Sequence, residues 1–85
     1  MDIVKGVVVK AVAGRDNGRF FVVVNKEGSF IWISDGKSRK LEKPKKKNIK
    51  HVIITDAVID IERITNKKLK MSLDRYYGPE IESEV

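Results

Sequence analysis

Cysteine is absent from this 85-residue chain, which excludes disulfide bridges and thiolate metal sites and leaves the fold without a covalent staple. Histidine occurs once, at His51, and a lone imidazole cannot build a zinc site. Long apolar runs are also missing, so no membrane-spanning helix is expected. The opening residues Met1-Asp2-Ile3-Val4-Lys5-Gly6 lack the basic start, apolar stretch and small-residue cleavage site of a secretory signal. A soluble, cytoplasmic protein is the expectation. There is no internal repeat, and the length suits one domain with a single small core. A domain this short buries only roughly 60% of the surface its unfolded chain exposes, so its stability margin is thin.

What the sequence does have is positive charge. Lysine and arginine total 18 against 12 acids, a formal net charge of +6. The excess is not spread evenly. Residues 1–35 carry five cations and four anions, residues 36–51 carry eight and one, and residues 52–85 carry five and seven. Like charges crowded into one segment raise the local density of any polyanion and speed its capture. Nucleic acid is therefore the leading expected partner, with an anionic membrane surface behind it.

Val7, Val8, Val9, Ala11 and Val12 form a run rich in β-branched residues, and Phe20 to Val24 form a second apolar run of aromatic and β-branched residues. Between them Ala13-Gly14-Arg15-Asp16-Asn17-Gly18 reads as a turn, because Asn and Gly tolerate the positive φ that tight turns require. Lys26-Glu27-Gly28-Ser29 predicts a second turn into Phe30, Ile31, Trp32 and Ile33, and Asp35-Gly36 a third. Ser38 to Glu42 is predicted as a brief edge strand, Pro44 interrupts any ladder there, and Lys50 to Ile54 resumes extended structure. About five short strands chained by tight turns point to a mainly β fold, a small barrel.

The texture changes at Thr55, which with Asp56 is expected to cap a turn. Val58-Ile59-Asp60-Ile61 fits strand or helix, and a helical segment is expected over about 56–78. Thr65 is a candidate cap for it. Leu69 and Leu73 stand four apart with Tyr76 and Tyr77 about a turn later, an apolar stripe flanked by Lys67, Lys68, Lys70 and Arg75. Gly78-Pro79 is expected to stop the helix, and Glu80, Glu82 and Glu84 to form a frayed acidic end over 79–85.

Catalysis finds little support. His51 has no evident nucleophile beside it, and Gly14 and Gly18 are not followed by Gly-Lys-Ser/Thr at the spacing of a phosphate-binding loop. Asp56, Asp60 and Glu62 could bind a cation weakly, but solvating or capping the C-terminal segment is the better account of them. No enzyme activity, cofactor or metal is expected. The constellation with a clear physical purpose is Lys37, Arg39, Lys40, Lys43, Lys45, Lys46, Lys47 and Lys50. These cations repel one another, and a phosphate lattice would relieve that cost. Arg15 and Arg19 flank the first turn and are candidates for further backbone contacts. Phe20, Phe21, Phe30 and Trp32 are candidates for base stacking, although strand alternation turns about half of them into the core.

Residues Ile3 to Arg19, a strand leading through a glycine turn into the next strand, resemble a KOW motif. Leu41-Glu42-Lys43-Pro44-Lys45-Lys46-Lys47-Asn48-Ile49-Lys50-His51-Val52, followed by Thr55-Asp56 and Ile59-Asp60-Ile61, resembles the basic stretch, histidine-bearing strand and following segment of the large-subunit ribosomal protein family fourteen-e. The resemblance covers roughly residues 3–75. It implies an SH3-like five-stranded barrel with a C-terminal helical segment, binding ribosomal RNA without enzymatic activity. Gly14 and Gly18 would then shape the KOW turn, while Arg15, Arg19 and the Lys37 to Lys50 cluster would face RNA. The acidic tail departs from the family, whose eukaryotic members carry a long basic extension. The resemblance therefore implies RNA binding more firmly than stable incorporation into a ribosome. The alternative is a KOW module that binds protein, for instance on transcription machinery.

Overall fold

A computed structural model describes residues 3–77; the expected helix stop at Gly78-Pro79 and the acidic end lie outside the described residues. Five strands, β1 (Val7–Ala11), β2 (Phe20–Glu27), β3 (Phe30–Ser34), β4 (Lys45–Asn48) and β5 (Val52–Val58), precede one helix, α1 (Asn66–Asp74). They form a single antiparallel sheet in the order β4-β3-β2-β1-β5. The fold is thus mainly β with one short C-terminal helix. Its two edge strands are consecutive in the chain, joined by a 3-10 turn at Ile49–His51. In a flat five-stranded sheet the edges would stand about 19 Å apart at the usual strand spacing, whereas the four residue steps from Asn48 to Val52 reach at most about 14 Å. The sheet must therefore curl. No ladder pairs β4 with β5, so the sheet stays open along that seam.

Curling encloses one face. Val7, Val9, Ala11, Phe21, Val23, Ile31, Ile33 and Val52 pack there, with Ile49 of the edge-to-edge turn set against them. The opposite face carries Val8 and Val22, which the helix covers with Leu69 and Leu73. Val7 to Val9 of β1 and Phe21 to Val23 of β2 are thereby buried on both sides, and Val8, Val9, Phe21, Val22 and Val23 all reach zero exposure. This explains their unbroken apolar character in place of alternation. Each leucine seated by the helix contributes roughly 1.5–3 kcal/mol, and the Thr65 side chain accepts the Lys68 N–H at 3.1 Å, a cap worth about 1 kcal/mol. Beyond the helix, Tyr77 meets Phe20 edge-on at 5.3 Å between ring centroids, and its hydroxyl accepts the Phe20 N–H at 2.9 Å.

Two predicted elements lie elsewhere. Ser38 to Glu42 is a loop and not an edge strand, because nearby side chains claim its backbone. The Asp35 carboxylate accepts the N–H groups of Lys37 at 2.9 Å and Arg39 at 2.8 Å, and the Ser34 hydroxyl donates to the Arg39 carbonyl at 2.6 Å. The ladder starts only after Pro44, on the lysine run itself. Thr55 and Asp56 cap no turn; they sit inside β5, which stays extended through Val58, so the helical segment begins at Asn66 and not near residue 56. The β1–β5 register shifts between Val7 and Val9. The Thr55 hydroxyl donates to the Val8 carbonyl at 2.7 Å within that irregularity, supplying the partner a bulge removes. Among the described residues no helix is long and apolar enough to cross a membrane.

Candidate nucleic-acid interface

The turn between β1 and β2 is a 3-10 turn at Gly14–Asp16. Gly14 and Gly18 take φ of +75° and +87°, and the Gly18 N–H closes the turn onto the Ala11 carbonyl at 2.8 Å. This geometry aims Asp16 inward, where it is 3% exposed. A carboxylate so placed needs partners, and β4 supplies them. Opposite β3, Lys45 pairs with Ile33 and Lys47 with Ile31, while Lys46 pairs with Trp32. Directly opposed residues share a face, so Lys45 and Lys47 project into the enclosed side and Lys46 projects away from it.

On the enclosed side, Lys45 Nζ lies 3.2 Å from Asp16 Oδ2, and an Arg39 guanidinium nitrogen lies 3.4 Å from the same oxygen. Lys47 is 8% exposed, and its ammonium donates to the Ala13 carbonyl at 3.1 Å. A second buried carboxylate, Asp35, stands 3.5 Å from Arg19, which also donates to the Ser38 hydroxyl at 3.1 Å. Of the cations expected to face RNA, Arg19, Arg39, Lys45 and Lys47 are therefore engaged within the protein. Arg15, Lys37, Lys40, Lys43, Lys46 and Lys50 are exposed and make no ion pair with the described residues. Lys37, Lys40 and Lys43 border one cleft of about 580 Å³, where Glu42 is the sole acid.

Burial pushes the Asp16 carboxyl up, but the hydrogen bond from Lys45 and the charges of Lys45, Arg39 and Lys47 outweigh it and hold the pKa below the ordinary carboxylate value. A carboxyl whose folded pKa is depressed contributes stability that is complete above its unfolded value, about 3.9, and is lost as pH falls through the folded value. The Asp16→Asn variant is expected to unfold at lower urea than the parent at pH 7. Urea titrations from pH 7 downward should show that gap closing below about pH 4. A gap constant across the acid range would separate Asp16 from acid sensitivity. Glu42 is lowered too, by the hydrogen bond from Asn66 and by its own backbone N–H.

The four aromatic candidates separate cleanly. Phe21 is in the core, and Phe20 lies against Tyr76 and Tyr77. Phe30, 38% exposed, and the half-buried Trp32 remain on the open face. Lys46 Nζ stands 4.4 Å from the Phe30 centroid and 5.8 Å from that of Trp32. His51 is exposed, and its carbonyl accepts the Val12 N–H at 2.9 Å. Asp56, Asp60 and Glu62 are exposed as well, and among the described residues no three metal-ligating side chains gather. A cleft of about 600 Å³ is bounded by Arg19, Phe20, Asp35, Lys37, Lys70, Asp74 and Tyr77, and in it Lys70 Nζ lies 3.1 Å from Asp74 Oδ2.

Asp16 and Asp35 are the residues that sequence reasoning passed over. The available signal was the period of two in Lys45-Lys46-Lys47, which places alternate lysines on opposite faces once the segment is a strand. No family model matches this sequence, and no curated protein matches it.

Proposed function

We propose that this chain is an RNA-binding domain of KOW type, an SH3-like barrel resembling the large-subunit ribosomal protein family fourteen-e, that engages folded ribosomal RNA without catalysis. The observation that carries this reading is the division of the basic segment. Its inward cations, Arg39, Lys45 and Lys47, are held by Asp16 and the Ala13 carbonyl, while Lys37, Lys40, Lys43, Lys46 and Lys50 are exposed and make no ion pair with the described residues. Support for the barrel comes from the strand order and from the short 3-10 link between the edge strands. The β1–β2 turn, with its two glycines at positive φ, suits the KOW resemblance.

The mechanism is phosphate neutralisation by a preformed surface. Six exposed cations opposite about six phosphates give a log-affinity against log-salt slope of roughly −4 to −5. Filter binding to a large-subunit RNA fragment over a salt series measures it. The triple variant Lys37→Ala, Lys40→Ala, Lys43→Ala is expected to flatten the slope by roughly 2 to 3 while keeping the parent circular dichroism. Affinity indifferent to both salt and variant would remove the basis of this reading.

A second reading, a protein-binding KOW module on transcription machinery, is favoured by exposed apolar side chains on β5 and ahead of β1. There Val4, Ile53 and Val58 are 51%, 56% and 60% exposed. A nuclease-resistant pull-down of polymerase subunits would support it. Cosedimentation with large ribosomal subunits that nuclease abolishes would support the first.

A further inference from the structure

The face of the sheet that α1 covers is covered only in part. The helix closes over Val8 and Val22, and two rows across β2, β3 and β4 remain uncovered by it. One row runs Asn25, Trp32, Lys46 and the other Glu27, Phe30, Asn48. The register shift between Val23 and Asn25 produces this arrangement, since it returns Asn25 and Glu27 to the same side as the rings. Two aromatic side chains two residues apart on one strand thus lie side by side, edged by amides and a lysine.

We infer that this surface is a stacking platform for unpaired nucleobases of single-stranded RNA, an inference that rests on the RNA-binding reading and gives it a second contact mode. The chemistry of each edge favours a nucleotide. A base offers a π-face to Phe30 and Trp32, and its phosphate offers Lys46 a stronger partner than the ring it now overlies. Asn25 Oδ1 accepts the Lys26 N–H and Asn48 Oδ1 accepts the Lys50 N–H, both at 2.9 Å. Each side-chain NH2 is thereby left without an acceptor among the described residues, as a donor for base carbonyl or ring nitrogen. Glu27 adds an acceptor for an exocyclic amine. An apolar protein segment would leave those two amides and the Lys46 ammonium without partners, which weighs against it. Bases inside a duplex cannot present their faces, so the platform selects unpaired nucleotides.

Trp32 is the sole tryptophan of the chain, which makes its emission a direct report on stacking. Titrating the full chain with decaadenylate is expected to quench that emission, and an RNA duplex of equal length is not. Phe30→Leu keeps apolar bulk but loses the π-face, and is expected to weaken decaadenylate binding at least roughly fivefold; Phe30→Tyr should retain it. Unchanged emission at saturation, or parent affinity in Phe30→Leu, overturns the platform. If folded RNA still binds with a steep salt dependence in that case, the broader reading survives; if neither RNA binds, both fail.

Discussion

Replacing Gly36 with alanine is expected to cost roughly 3 kcal/mol or more, at or beyond the upper end of what single substitutions usually cost. Gly36 has φ of +77°, a conformation that costs an L-residue about 1–2 kcal/mol. A methyl group there would also overlap the carbonyl oxygen of Asn66 and press on the Lys70 nitrogen at 3.1 Å. These are backbone atoms at the start of α1, so relief requires lifting the helix from the sheet. That would expose Val8 and Val22 beneath Leu69 and Leu73. Asn66 cannot yield freely either, because its Oδ1 accepts the Leu41 N–H at 2.8 Å and its NH2 donates to Glu42 at 2.9 Å. Gly18→Ala is the internal control. Its φ of +87° is as unfavourable for alanine, yet open space surrounds the new methyl, and about 1–2 kcal/mol is expected. Urea unfolding of both variants at pH 7 makes the comparison. Equal losses would show that backbone strain alone, without the helix contact, sets the cost.

That contact also marks where sequence reasoning ended. β1, β2, β3 and the Thr65 cap were legible because their signals are local: β-branched runs, Asn17-Gly18, Gly28 and a threonine ahead of the Leu69 and Leu73 stripe. β4 was placed too early. Lys45 to Asn48 carries no hydrophobic alternation, and its strand state comes from pairing with Phe30 to Ile33, a tertiary cause that propensity does not report. Ser38 to Glu42, in turn, loses its ladder to the side chains of Ser34 and Asp35. The candidate site divides along the same line. The concentration of charge was visible in the composition, but which cations are engaged depends on Asp16, which lies 29 residues from Lys45 in the chain.

Adjacent lysines are therefore expected to behave oppositely, and Lys46 and Lys47 provide the test. Lys47→Ala should cost about 2–3 kcal/mol of stability, since it removes a buried aliphatic stem beside Ile31 and strips the Ala13 carbonyl of its donor. Lys46→Ala should change stability by less than about 0.5 kcal/mol, as surface substitutions usually do. The order reverses for RNA. Lys46→Ala is expected to weaken binding and reduce the salt slope by about 1, whereas Lys47→Ala, measured well below its melting temperature, should bind as the parent does. Lys47→Met refines the case. It retains the stem without the charge, and replacing a buried cation by an apolar group of similar shape is often close to neutral, so a smaller loss than for alanine is expected. Neutralising Lys45, Lys46 and Lys47 together would merge two effects, because two of the three hold the β1–β2 turn to β4 and a loss of binding could then reflect a loosened turn. Only the outward set reports on the ligand, and equal stability losses in Lys46→Ala and Lys47→Ala would erase the distinction between the two faces of β4.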